Sequence, residues 1–240
     1  MTTAGPPRLG ERRVREQRGP RYSVPYRPVE AQTLPMADMK ALQEEIGRWA
    51  DGGPGTTARE LAAALGPRTA VLLEGPSDSA AVEALAARHG RDLAAEGVCV
   101  VPMGGAMNIA RYAALLGPPG LGLRLTGLCD ENERGFYDRG LERAGAPADG
   151  FFVCVADLED ELIRALGPGA VEEIIRTEGD LRAWQTFLNQ PAQHGRPRER
   201  QLRRFLGTKK GRKIRYGHLL AEALDTGRVP GPLDDLLTSV

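Results

Sequence analysis

The chain has 240 residues, with 32 Lys+Arg balanced by 32 Asp+Glu, 41% hydrophobic residues and only 5% aromatics. No apolar run approaches the roughly 18 residues of a membrane helix, the N-terminus has no secretory h-region, and Cys99, Cys129 and Cys154 form neither a disulfide framework nor a zinc-ligand spacing. The expectation is a cytoplasmic protein with no membrane partner, built from one sizeable domain plus appendages.

Residues 1–35 are rich in Arg, Pro and Gly without apolar periodicity, and read as a disordered arm. Residues 36–67 hold two N-terminal helices. In the first, Met39, Leu42, Ile46 and Trp49 fall at helical spacing before Gly52 and Gly53; the second runs over 56–66. The pattern then changes. TAVLL (69–73), VCVV (98–101), LGLRLTGLC (121–129) and FFVCV (151–155) are short apolar runs, separated by helical stretches at 77–89, 107–116 and 134–144. Strands of this kind alternating with helices indicate an α/β fold with a parallel sheet covered on both faces, over 68–166. From 167 to 240 the chain reads as all-helical, with helices expected at 170–178, 180–189, 198–206 and 212–225 after one at 157–166.

The zero net charge hides an asymmetry. Residues 31–195 are strongly acidic, whereas 196–215 carry ten Lys/Arg against one acid. The acids gather where chemistry is expected in such a fold, just beyond the C-terminal ends of strands. The first strand runs into Glu74 with Asp78 a turn further on, the third into Asp130-Glu131-Asn132-Glu133, and the fourth into Asp157 and Glu159. Converging carboxylates repel one another unless a hard cation such as Mg²⁺ neutralises them, and Mg²⁺ on carboxylates usually meets phosphate. The pattern therefore points to metal-dependent phosphoryl chemistry. Asp157 reads as the N-cap of the following helix, the three cysteines as buried thiols, and Gly104-Gly105 as a tight strand-to-helix turn.

VLLEGPSD, VVPMGG, the strand ending at Asp130 and FFVCVADLEDEL together resemble a Toprim domain, most of all that of the OLD (overcoming lysogenization defect) nucleases. The resemblance implies a four-stranded parallel, Rossmann-like Toprim sheet flanked by helices, here followed by the all-helical C-terminal extension. It implies one or two Mg²⁺ or Mn²⁺ ions, and hydrolysis of nucleic-acid phosphodiesters, DNA before RNA. On the family pattern, Glu74 is a metal ligand and acid/base group, Asp78 and Glu159 are ligands on the side of a second metal, and Asp130 is the first acid of a DxD motif. The second acid of that motif is replaced by Asn132, whose amide oxygen can bind Mg²⁺ without bringing charge; Glu131 and Glu133 flank it. OLD-type sites also use a late lysine to stabilise transition-state charge. Lys213 is the candidate, with Lys209 and Lys210 as alternatives. The chain has no GxxxxGK[ST] loop, so no ATP site is expected in it.

Arg203, Arg204, Lys209, Lys210, Arg212 and Arg215 form the basic strip expected to meet a phosphate backbone. The sequence thus reads as a metal-dependent nuclease with Glu74, Asp130 and Lys213 as catalytic residues and Glu74, Asp78, Asp130, Asn132, Glu133 and Glu159 around the metal. The alternative is a catalytically weak or inactive module that binds nucleic acid or a separately encoded ATPase, or that acts as a homo-oligomer.

Overall fold

The computed structural model describes residues 1–2 and 39–240, and for Lys210 the backbone alone. The expected arm at 1–35 falls outside the described residues. Helices α1 (Met39–Ala50) and α2 (Thr56–Leu65) precede the first strand. Then β1 (Thr69–Leu73), α3 (Pro76–Arg88), β2 (Val98–Pro102), α4 (Ile109–Leu116), β3 (Arg124–Asp130), α5 (Arg134–Arg143) and β4 (Phe151–Cys154) alternate. Helices α6 (Leu158–Leu166), α7 (Pro168–Thr177), α8 (Leu181–Leu188), α9 (Arg198–Leu206), α10 (Lys210–Ala223) and α11 (Gly231–Ser239) complete the described chain.

The four strands form one parallel sheet in the order β2-β1-β3-β4. All five residues of β1 are buried, because the pleat sends them alternately into two cores. Ala70 and Leu72 join Cys99 and Val101 under α1, α4 and α5. Val71 and Leu73 join Val98 and Val100 under α3 and the helices of the C-terminal half. Each fully buried Val or Leu contributes about 1.5–3 kcal/mol, which is why wholly apolar runs form strands here rather than loops. The strand order places the topological switch between β1 and β3, where α/β sheets open a crevice at their C-terminal ends.

The third strand starts later than its apolar run suggests. The backbone N–H groups of Leu121 and Leu123 donate to Leu115 and Leu116, closing a turn after α4 instead of joining the sheet. α11 lies beyond the last helix expected, at 212–225, within the region read as all-helical. Its proline sits in the first turn of the helix, where the missing N–H costs nothing, and Leu233, Leu236 and Leu237 are buried. No helix among the described residues is long and apolar enough to cross a membrane.

Candidate metal centre and phosphoryl site

Three turns at the C-terminal sheet edge build the site. β1 ends in Glu74, and Gly75 starts α3 with Pro76 in its first turn. The turn after β2 is pinned beside it, the Met103 N–H donating to Leu73 O at 2.8 Å and the Gly105 N–H to Glu74 O at 2.9 Å. Gly104 and Gly105 have φ of +73° and +130°, the backbone freedom that turn needs. β3 delivers Asp130, and the single turn Glu131–Glu133 leads into α5.

Glu74, Asp130 and Glu133 each bring a carboxylate oxygen within 4.8 Å of the other two. None of the three makes an ion pair among the described residues. Asp130 is pushed up to about 7 by burial and by the carboxylates of Asp157, Glu74, Glu133 and Asp78. Glu133 is raised by burial and by Glu74. Three hard oxygen donors held together against their own repulsion fit a divalent cation of the Mg²⁺ or Mn²⁺ kind. Asn132 is exposed in the turn, as is Glu131, whereas Glu133 is half-buried.

A second group lies on the α3 side of the same crevice. Asp78 is buried, and its Oδ2 accepts from Gly75 N at 2.8 Å. Burial and the Glu159 carboxylate push it up to about 7, against the opposing pull of the Gly75 N–H and Lys213. The helix-capping role of Asp78 and its place in the site are therefore compatible, one oxygen serving the cap. Glu159 is buried and pairs with Lys213 Nζ at 3.2 Å. Burial raises the Glu159 carboxyl, and Lys213 opposes it. Burial works against the Lys213 ammonium, yet Glu159 and Asp78 outweigh it and hold the amine above the ordinary lysine range. Lys213 reaches the site because α10 lies along α3, so closely that a Cβ on Gly217 would sit 2.5 Å from Ser77 O.

Asp157 caps α6, its Oδ1 accepting from Asp160 N at 2.8 Å, and it lines the crevice with Glu74, Asp78, Asp130 and Glu133. Its other oxygen binds Arg203 at 2.5 Å. Two more arginines of the basic strip also pair with acids of the fold. Arg212 pairs with Asp180 at 3.4 Å and lies 4.2 Å over the Phe205 ring. Arg215 binds Asp180 at 2.5 Å, and Tyr216 donates to the same carboxylate at 3.1 Å. Arg203, Arg212 and Arg215 are spent on internal acids, whereas Arg204 and Lys209 stay exposed without an ion pair among the described residues. The side chain of Lys210 falls outside the description. Arg182, which the sequence did not single out, lines a groove with Lys209 and Arg212. The cysteines are buried and free; burial pushes Cys99 up to about 12 and Cys129 up to about 11.

Strands β1, β2 and β3 of this sheet, with Glu74 and Asp130 at the ends of β1 and β3, lie in the stretch that matches a known family. Residues 68–131 match the family model described as Overcoming lysogenization defect protein-like, TOPRIM domain. Over that stretch the chain is similar to an OLD-like Toprim domain. It is similar to the C-terminal region of the OLD protein of Xanthomonas campestris pv. campestris, with 26% identity and a TM-score of 0.55 over 72% of this chain and 93% of that one. It is also similar in fold to the C-terminal region of the Burkholderia pseudomallei OLD protein, with 23% identity and a TM-score of 0.54 over 72% and 96%. No curated protein matches the chain in sequence.

Proposed function

We propose that this protein hydrolyses phosphodiesters of DNA with one divalent ion at Glu74, Asp130 and Glu133. The observation that carries the reading is the convergence of those three carboxylates beside a separately neutralised Asp78–Glu159–Lys213 group. The OLD-like Toprim match supports it, since that family is of nuclease type. When bound, Mg²⁺ or Mn²⁺ supplies Lewis-acid polarisation of phosphate oxygens.

The chain's own groups divide the remaining work. Glu74, Asp130 and Glu133 bind and orient through oxygen, the donor type hard cations select. The Lys213 ammonium, held charged by Glu159 and Asp78, offers a fixed cation to the charge developing on phosphorus-bound oxygens. Asp78 keeps Oδ2 on the Gly75 N–H, while its Oδ1, which accepts only a long bond of 3.4 Å from Ser77 Oγ, can hold a proton or a ligand. A second ion at Asp78 and Glu159 requires Lys213 to give up Glu159, so the one-ion arrangement is the simpler. Arg204 and Lys209 are the phosphate-backbone contacts of the basic strip, as the exposed members without an internal acid.

The test is nicking of supercoiled plasmid with Mg²⁺ and with Mn²⁺, by wild type, Glu74→Ala and Asp130→Ala, each checked for fold by circular dichroism. Metal-dependent nicking by wild type alone supports the reading, and equal activity in both variants sinks it. Exposed Asn132 favours a second reading, a module that binds nucleic acid without cutting it. DNA retention without cleavage by folded wild type, with activity gained in Asn132→Asp, would select that reading.

A further inference from the structure

Tyr137 is fully buried, its ring edge-on to Phe151 with centroids 5.5 Å apart, and its hydroxyl has no hydrogen-bond partner among the described residues. Buried hydroxyls are almost always paired, so an orphan one calls for a reason. This one lines the acidic crevice with Glu74, Asp78, Asp130 and Glu133. A phenol is protonated at neutral pH, so it is a donor in a crevice otherwise lined by carboxylate acceptors. Tyr137 also lies four residues after Glu133, which caps α5, so the two side chains share one helix face a turn apart.

We propose that Tyr137 is a positioning residue for Glu133: its hydroxyl donates to the Glu133 carboxylate once a divalent cation draws the three acids together, and so lets Glu133 serve as the ligand that Asn132 does not provide. The proposal rests on the metal centre described under the proposed function. It fits the general pattern in which a carboxylate ligand is oriented by a hydrogen bond from outside the coordination sphere. It also explains an unmet hydroxyl at a buried position where phenylalanine would pack equally well.

The experiment uses the full chain and Mn²⁺ alone, following free Mn²⁺ by electron paramagnetic resonance, beside thermal melts without metal. Wild type is expected to bind Mn²⁺, and Tyr137→Phe about tenfold more weakly. Metal-free Tyr137→Phe is expected to melt at or above the wild-type temperature, because no bond is lost. In a Glu133→Gln background, Tyr137→Phe is expected to cost no further affinity. Equal affinity in Tyr137→Phe and wild type overturns the proposal, as does a lower metal-free melting temperature or additive losses with Glu133→Gln. Wild type that binds no Mn²⁺ removes the metal centre itself, a failure distinct from the other three.

Discussion

Gly217→Ala tests how the lysine is placed. A Cβ there would lie 2.5 Å from Ser77 O and 3.2 Å from Ser77 C, where ordinary contact begins at 3.4 Å. The obstacle is main chain in the first turn of α3, so no side chain can swing aside, and the helices must part by about 0.9 Å. Overpacking of this kind costs about 1–3 kcal/mol. For a domain of this size that is a melting temperature lower by about 2–12 °C. The same displacement moves Lys213, one turn earlier on α10, away from Asp78, which follows Ser77. The 3.2 Å pair with Glu159 would stretch toward 4 Å. A misplacement near 1 Å at a reacting centre costs roughly 100-fold in rate. The assays are thermal melting and Mn²⁺-dependent plasmid nicking well below the melting temperature. Mn²⁺ affinity should stay unchanged, since Glu74, Asp130 and Glu133 lie on other elements. Gly47→Ala on α1, with nothing within 4 Å of its Cβ, is the control and should be neutral or stabilise by about 0.5–1 kcal/mol. A Gly217→Ala protein that melts within about 1 °C of wild type and nicks at full rate would refute the close-packing argument.

Asp78 and Asp130 are held near 7 in the folded protein and return toward 4 on unfolding, so between those values the native state binds more protons. Metal-free stability contributed by these groups therefore falls as pH rises from about 4 to 7. Melts from pH 5 to 8 should show a smaller fall in Asp78→Asn/Asp130→Asn than in wild type, and a parallel slope in both would contradict the assignment. Lys213→Ala leaves buried Glu159 without its cation and should cost about 1–3 kcal/mol. Adding Glu159→Gln should restore the melting temperature but not nicking; a Lys213→Ala protein as stable as wild type would refute the pairing. Arg204→Ala with Lys209→Ala should weaken DNA binding and flatten its salt dependence by up to about two counterions without changing the melt, as read by fluorescence anisotropy across salt concentrations. Arg212→Ala should instead lower the melting temperature, because it removes the Asp180 pair and the Phe205 contact.

The strands and the acids that follow them were legible in the sequence because both are local: an apolar run long enough to cross the sheet, then a carboxylate at its end. The sequence set Glu133 among the metal candidates beside Asn132; the single turn after β3 is what brings its carboxylate to Glu74 and Asp130. Strand order was not legible, since it is set by packing between elements distant in the chain. The ion pairs of the basic strip were hidden for the same reason. Counting charges cannot reveal that Arg203 meets Asp157 or that Arg212 and Arg215 meet Asp180 across the tertiary structure. α11 was not singled out within the helical region: it is only nine residues long, with Pro232 in its first turn. The hydroxyl of Tyr137 carried no sequence signal beyond its four-residue spacing from Glu133.

The close approach of α10 to α3 also has a meaning for folding. The carboxylates are gathered by strand pairing within the first two-thirds of the chain, whereas the ammonium arrives only when a far downstream helix docks. Contacts of such long separation carry the loop-closure cost that slows folding. A molecule with its sheet formed and α10 undocked would hold the acids together with no lysine among them, so under the proposed function an ion could be captured at an earlier stage of folding than the one that completes the site.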